Sequence, residues 1–368
     1  MICYLTSRIS RLMTIAIFAG TRPEVIKLAP LYRELKHREI ATEFIAISQQ
    51  VDLVKSHLQQ EEITADVLIP VARDQGNLVE LIGEEMRVLR DFPFDKYSHV
   101  IVQGDTTTAL AVAQAAFMFS ASAPRICHVE AGLRTSSAKA PFPEEVNRRL
   151  IAQLADLHCA PTPKAAMNLH AEHVQGKIEV TGNTGIDAYH QALTQDNRCS
   201  ESVLANLNQR EHFVLVTCHR RENWEVGIDE LVNALNALPP NFAVLWPLHP
   251  NPAFIEKIVC LQNLQVYVIP PIEHIVTVQF IARASVIVTD SGGIIEEAAE
   301  AQRPCLVLRN ETERVEALDD GCRLVPSNKR QQLASLIQEA PSWTRTSKGL
   351  YGDGRASQHI ADLLAREL

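Results

Sequence analysis

The chain has 368 residues, 46% of them hydrophobic and 21% charged, with a formal net charge of -9. That length exceeds one ordinary open sheet and supplies apolar material for two cores, so two domains are expected. The negative balance excludes broad binding to nucleic acid or to an anionic membrane surface, and any phosphate site must be a local cluster of Arg, Lys and backbone N–H groups.

The eight cysteines include no Cys-x-x-Cys pair and are expected to be reduced thiols. Residues 1–13 carry Arg8 and Arg11 without a long apolar core, so a secretory signal is not expected, and Met13 is a candidate start. No stretch approaches the roughly 20 apolar residues of a membrane span. A cytoplasmic protein acting on a small phosphorylated ligand is the expectation.

Short apolar, β-branched runs at 14–18, 44–47, 100–102 and 125–129, then at 213–217, 243–246, 265–269, 286–289 and 305–308, alternate with helical patterns. Runs without polar alternation imply strands buried on both faces. Between them lie stripes such as Ile228, Leu231, Val232, Leu235 and Leu238, whose i, i+3, i+4, i+7 spacing places one apolar face on a helix. The pattern is that of parallel α/β structure, and it occurs twice. It restarts after Thr181-Gly182-Asn183-Thr184-Gly185, which places one Rossmann-like domain at 1–180 and a second, the nucleotide-binding one, at 181–355. A final helix at about 356–368 is free, on pattern alone, to pack on either half.

Several polar clusters follow these strands, and in open α/β sheets ligands bind beyond the carboxyl ends of the strands. Gly20-Thr21-Arg22-Pro23-Glu24 opens a helix that carries Lys27, so N–H groups, Arg22 and Lys27 form a candidate anion site. The plainer reading is a tight turn with a proline in the first helical turn and solvated charges. Asp105, in Gly104-Asp105-Thr106-Thr107-Thr108, and Glu130, in His128-Val129-Glu130-Ala131-Gly132-Leu133-Arg134, follow two strands directly, while Glu144 and Glu145 open a helix after Pro141-Phe142-Pro143. Such acids cap turns and helices. Three of them around one ligand also separate general acid and base roles. Arg134 adds a candidate substrate-binding cation.

In the second half, Thr217-Cys218-His219-Arg220-Arg221-Glu222-Asn223 brings His219 and two arginines to a strand tip, suited to a departing diphosphate or to a surface ion-pair cluster with Glu222. Asp290-Ser291-Gly292-Gly293 then opens a helix with Glu296 and Glu297. Glycines let backbone approach a pyrophosphate, Ser291 can cap and donate, and Glu297 can take ribose hydroxyls, although acids near a helix start are favoured by its dipole alone. No His/Cys/Asp spacing resembles a metal ligand set.

In this order, the segments resemble the non-hydrolysing UDP-N-acetylglucosamine 2-epimerases over nearly the whole chain, from Gly20-Thr21-Arg22-Pro23-Glu24 to Tyr351-Gly352-Asp353-Gly354. The resemblance implies an α/β fold of two Rossmann-like domains of the GT-B kind, an interdomain active-site cleft, a C-terminal helix returning to the first domain, and a homodimer. It places the catalytic acids on Asp105, Glu130 and Glu144, the catalytic histidine on His219, and uridine diphosphate contacts on Arg22, Lys27, Ser291, Gly292, Gly293 and Glu297. No metal or other cofactor is implied.

The chain departs from the family pattern at Gln103, where many members have His, at Ile295, where Gln is usual, and at Val315, where Pro is usual. The largest departure is Gln49-Gln50-Val51-Asp52-Leu53, where members show Gln-His-Arg-x-Met in a segment of a second, activating site. Gln49 and His249 still match that site and are candidate allosteric residues. The alternatives to reversible epimerisation are a hydrolysing epimerase that releases N-acetylmannosamine and UDP, an epimerase of a modified UDP-sugar, and an inactive UDP-sugar-binding regulator.

Overall fold

The computed structural model describes residues 14–48, 51–72, 77–120, 124–195, 207, 210–220, 223, 227–248, 252–318, 320–343 and 348–368, without the side chains of 51–53 and 252–254. They form two compact units, one running to Ala188 and including Tyr351–Leu368, the other comprising Tyr189–Leu350.

In the first unit strands and helices alternate: β1 (Ile15–Ala19), α1 (Arg22–His37), β2 (Thr42–Ser48), α2 (Val51–Gln60), β3 (Val67–Pro70), α3 (Leu78–Leu89), β4 (His99–Gln103), α4 (Thr107–Phe119), β5 (Arg125–Val129), α5 (Glu144–Leu154), β6 (Leu157–Ala160), α6 (Pro163–Ala171), β7 (Lys177–Val180) and α7 (Thr184–Thr194). The second repeats the plan with β8 (His212–Thr217), α8 (Gly227–Asn236), β9 (Phe242–Pro247), α9 (Pro252–Ile258), β10 (Val266–Ile269), α10 (His274–Arg283), β11 (Val286–Thr289), α11 (Gly292–Glu300), β12 (Cys305–Val307), α12 (Val315–Leu318), β13 (Cys322–Leu324) and α13 (Leu333–Glu339). The last helix, α14 (Ala356–Ala365), belongs to the first unit.

Both sheets are parallel throughout. Their orders are β3-β2-β1-β4-β5-β6-β7 and β10-β9-β8-β11-β12-β13. The order reverses between β1 and β4 in one and between β8 and β11 in the other, so each unit has a switch point where the connections diverge to opposite faces. The expected class, two Rossmann-like α/β domains with parallel sheets, is what the chain adopts.

Alternation along the buried strands builds two layers of core on the first sheet. Ile15, Ile17 and Ala19 face α1 and α14 through Val25, Leu28, Leu31, Ile360 and Leu364. Ala16 and Phe18 face the other side, where Ala109, Ala111, Ala113, Ala115 and Ala116 make α4 slim enough to lie close to the sheet. In the second unit the stripe Ile228, Leu231, Val232, Leu235 and Leu238 is buried against Val214, Val216 and Trp246.

α14 is held to the first unit by polar as well as apolar contacts. The Asp187 carboxylate accepts from Ala356 N (3.0 Å) and Ser357 N (2.7 Å) at the helix start. Arg38 pairs with Asp362 on the same helix. Ahead of it, Asn183 N donates to Tyr351 O at 2.7 Å. The two chain segments pass so closely that a Cβ on Gly352 would lie 2.8 Å from Gly182 Cα, and φ is +113° at Gly352. Glycine is required there on both counts.

One buried carboxyl lies between α3 and α4. Glu85 is 2% exposed, and its Oε1 accepts from Thr108 Oγ1 at 2.5 Å. Burial pushes its pKa up to about 7, against the lowering effect of the Thr108 hydrogen bond and with help from the Glu24 charge. A carboxyl raised on folding favours the folded state below its unfolded pKa, and that advantage is lost as pH climbs through the folded value. Across roughly pH 4.5 to 7 the loss is about 3 kcal/mol at ~1.4 kcal/mol per unit. Urea unfolding of the chain and of Glu85→Gln over this range should therefore show the variant gaining about 3 kcal/mol relative to the parent as pH rises. Parallel stability profiles would show that Glu85 does not titrate in that window.

Candidate functional site

The carboxyl ends of β1, β4 and β5 carry the chemistry of the first unit. Thr21 is the N-cap of α1 and forms a capping box with Glu24, in a helix with proline in its first turn. Glu24 does more than cap. Its Oε2 accepts from Gly20 N (2.9 Å), Thr21 N (2.7 Å) and Thr21 Oγ1 (2.8 Å), while Oε1 accepts from Thr106 Oγ1 (2.6 Å). Burial raises the Glu24 pKa despite the opposing pull of these donors. Thr106 is also the N-cap of α4, accepting from Ala109 N at 2.9 Å. One buried side chain thus ties together the tips on both sides of the switch point. Arg22 and Lys27 project from the first turns of α1, and the Arg22 charge helps, after burial, to depress the pKa of His57 on α2.

Glu130 follows β5 in a left-handed conformation, φ +67°, which is strained for a residue with a side chain. It is 5% exposed, and its Oε2 accepts from Lys27, from Gln103 Nε2 (3.1 Å) and from Asn183 Nδ2 (3.1 Å). Gln103, a departure from the family pattern, thus binds the same carboxylate. His128 is fully buried with Nε2 2.7 Å from Gly104 O, and burial pushes its pKa down to about 3, so the neutral ring donates to that carbonyl.

Asp105 follows β4 and does not cap α4, since Thr106 takes that place. Its Oδ2 instead receives Arg148 Nε (2.9 Å) and Nη2 (2.8 Å) from α5. Asn147 Nδ2 donates to the Asp105 carbonyl at 2.9 Å. Glu144 and Glu145 open α5. Glu145 is buried and accepts from Arg148 Nη1 (2.6 Å), Arg149 Nε (2.9 Å) and Thr135 N (3.0 Å), which leaves Glu144 as the half-buried acid of the pair. Arg134 is engaged elsewhere: its Nε and Nη2 donate to the two Glu172 oxygens at 2.8 and 2.7 Å. A bidentate pair of that geometry holds its guanidinium in place.

In the second unit the tips of β8 and β11 adjoin, joined by a Thr217 to Thr289 hydroxyl contact of 2.6 Å. His219 lies just past β8 with its side chain 47% exposed, and its Nδ1 is 3.1 Å from Asp290 Oδ1. Asp290 is fully buried. Burial alone would raise its pKa, but the His219 ring and the donors from Arg220 and Asn223 outweigh it and hold the carboxyl well below the usual range. As a residue in a string, Asp290 announces no role; its place beneath His219 emerges only in the fold.

Ser291 is the N-cap of α11, and its hydroxyl makes no capping hydrogen bond. A Cβ on Gly292 would lie 2.8 Å from the Arg314 guanidinium, whereas one on Gly293 would meet nothing within 4 Å. Gly292 is therefore demanded by packing, and Gly293 faces open space at a helix N-terminus suited to an anion. Arg314 Nε donates to Glu296 at 2.9 Å, in a buried network that continues through Glu313 to Arg309. Glu297 accepts from His274 Nε2 at 2.7 Å. Gln49, His249 and Arg221 lie outside the described residues. Among the described residues no group of His, Cys, Asp or Glu is arranged to hold a metal ion, and no helix is long and apolar enough to cross a membrane.

A polar cluster at the switch point of each of two parallel α/β units is the plan of a GT-B-like nucleotide-binding protein. The family model for UDP-N-acetylglucosamine 2-epimerase matches residues 33–365. The chain is 35% identical to the UDP-N-acetylglucosamine 2-epimerase of Bacillus subtilis, covering 96% of this chain and 95% of that one. A solved structure of the Neisseria meningitidis enzyme bound to UDP-GlcNAc superposes with a TM-score of 0.87 at 34% identity, covering 96% and 99% of the two chains. The enzyme of Methanocaldococcus jannaschii, solved with UDP-GlcNAc and UDP, gives 0.82 at 28% identity, covering 96% and 100%. The chain belongs to the UDP-N-acetylglucosamine 2-epimerase family.

The Lys27 to Glu130 pair is almost wholly out of solvent, with side-chain exposures of 12% and 4%. Removing one partner of a buried pair typically costs about 3–5 kcal/mol because the other charge is left uncompensated. Lys27→Met should lose about that much in urea unfolding, and Lys27→Met with Glu130→Gln should recover most of it. A single variant as stable as the parent would mean that the Gln103 and Asn183 amides suffice to hold Glu130.

Proposed function

We propose that the chain interconverts UDP-N-acetylglucosamine and UDP-N-acetylmannosamine by reversible, non-hydrolytic epimerisation at C2, supplying activated sugar for cell-surface polysaccharide as a cytoplasmic homodimer. The observation that carries this reading is that Asp105 and Glu130 follow the central strands of one unit, while His219 and a glycine helix start follow those of the other. Relatives bound to UDP-GlcNAc support the substrate class.

C2–H is not acidic in the ground state, because C1 is an acetal carbon and offers no carbonyl to stabilise a carbanion. Cleavage of the bond between C1 and the diphosphate oxygen changes that. The electron pair leaves with UDP, an oxocarbenium-like centre develops, and loss of the C2 proton to a carboxylate gives 2-acetamidoglucal. Readdition of UDP at C1, with a proton delivered to the opposite face of C2, gives the epimer. The route needs no redox carrier and no external acceptor.

Departure of UDP calls for fixed positive groups where charge develops, and losing one such donor typically costs about 3–4 kcal/mol of transition-state stabilisation. His219, Arg22, Lys27 and the Gly292 and Gly293 amides fill that role, with Ser291 as a further donor and Glu297 on the ribose. Glu130 accepts from Lys27, Gln103 and Asn183, which fix its carboxylate in place before the sugar cation develops. Asp105, Glu130 and Glu144 are the acids proposed to stabilise the sugar cation and to move the proton at C2.

Proton NMR of the protein with UDP-N-acetylglucosamine in heavy water tests the reading directly. The expected result is a mixture of both UDP-sugars with deuterium at C2. Stoichiometric free N-acetylmannosamine would assign hydrolysis, and tight binding without turnover would assign a regulator. Asp105→Asn, Glu130→Gln, Glu144→Gln and His219→Ala should each lower kcat by at least about 100-fold while remaining folded. Near-normal turnover in any one would remove that residue from the catalytic set.

A further inference from the structure

The His219 ring stands at the end of a chain of buried hydrogen bonds. Asp290 gathers other donors besides the ring: the His219 amide approaches its two oxygens at 3.1 and 3.0 Å, the Arg220 amide lies at 2.9 Å, Asn223 Nδ2 at 2.8 Å and Cys218 Sγ at 3.3 Å from Oδ2, and Arg220 Nε bonds its carbonyl at 2.9 Å. Asn223 is itself fully buried. Its Oδ1 accepts from Arg330 Nη2 at 2.5 Å, and Nδ2 also reaches Leu308 O at 3.3 Å. Arg330 comes from the short turn Ser327–Gln332, is 5% exposed, bonds Leu308 O at 3.3 Å and has Glu230 at 3.9 Å. Gly227 makes room for it, since a Cβ there would lie 2.0 Å from Arg330 Nη1.

Each link fixes the orientation of the next. An arginine only donates, so the Asn223 atom that faces Arg330 must be its oxygen. That turns the Asn223 NH2 toward Asp290, whereas a flipped amide would set oxygen against carboxylate. Asp290, ionised and acceptor-only, then requires a proton on the nitrogen that faces it, His219 Nδ1. In the neutral ring the unprotonated nitrogen is therefore Nε2.

We propose that Arg330, Asn223 and Asp290 are positioning residues that hold His219 in the Nδ1–H form, presenting Nε2 as the nitrogen that meets the substrate. The proposal rests on the reading of His219 as a catalytic residue, and it adds the device that sets its tautomer. The logic is that of any histidine whose outer nitrogen is defined by the hydrogen bond of the inner one.

The test uses the full chain labelled with nitrogen-15 in its histidine rings, with the His219 signals assigned by their loss in His219→Gln. In the parent, at a pH where the ring is neutral, Nδ1 should show the protonated-nitrogen shift and Nε2 the unprotonated one. Arg330→Met, remote from the ring, should move both signals toward the opposite tautomer and lower kcat at least tenfold, with KM for UDP-N-acetylglucosamine within about threefold. Arg330→Lys should restore part of both effects, and Asp290→Asn should give the larger change if it folds. Unchanged ring signals in folded Arg330→Met would overturn the relay, whatever happens to kcat. Shifted signals with unchanged kcat would overturn its catalytic meaning. Full turnover in His219→Ala would instead remove the reading on which it rests, while the ring spectra would still decide the relay by themselves.

Discussion

Reversal of strand order is the constraint on which the rest of this chain depends. Where β1 meets β4, and again where β8 meets β11, the connections leave for opposite faces of the sheet, and the carboxyl ends of two neighbouring strands are left uncovered by either helix layer. A helix N-terminus closely follows the tips of β1, β4 and β11. The backbone there offers N–H groups without an intrahelical acceptor and the positive ends of helix dipoles, at places where side chains are free to vary. Gly20 to Lys27, Asp105, His219 and Asp290 to Glu297 all occupy these places.

Concentrating charge at such tips conflicts with burial, and the structure resolves the conflict by giving each buried carboxylate its own donors. Glu24 is held by the turn it caps and by Thr106 from across the switch point. Glu130 is held by one ammonium and two amides in a backbone conformation that costs on the order of 1–3 kcal/mol. Asp290 is held by main-chain amides and Asn223. Fixed donors of this kind need no reorganisation when charge moves in a reaction, which is the physical content of a preorganised site.

The central strands were legible because a parallel strand buried on both faces reads as an uninterrupted apolar run; 125–129 and 286–289 match the observed strands residue for residue. Strands β3, β6, β7 and β13 were not legible. They are three or four residues long, and Lys177-Ile178-Glu179-Val180, Leu157-His158-Cys159-Ala160 and Cys322-Arg323-Leu324 break the apolar run with polar residues. His158 is tolerated there because its ring finds the Gln175 carbonyl at 2.8 Å. The tip segments were legible as strings because turn, cap and functional side chain are contiguous in sequence. What joins them was not: nothing local to Arg134 announces Glu172, and nothing local to Asn223 announces Arg330. Gly227, a glycine at a helix start, was a signal for the close approach of Arg330.

The two switch points share a topology and differ in the side chains they hold. The first sets Asp105 and Glu130 among cations that are already engaged, with Lys27 on Glu130 and Arg148 on Asp105. The second sets a histidine and an open glycine helix start around a single buried aspartate whose charge is turned inward. The epimerisation proposed above, at C2 beside the acetal carbon C1, has needs of two kinds. A leaving diphosphate calls for donors that do not themselves give up protons, and a carbon that loses and regains a proton calls for carboxylates. A fold that repeats one switch point can meet both needs by varying only the side chains at the tips.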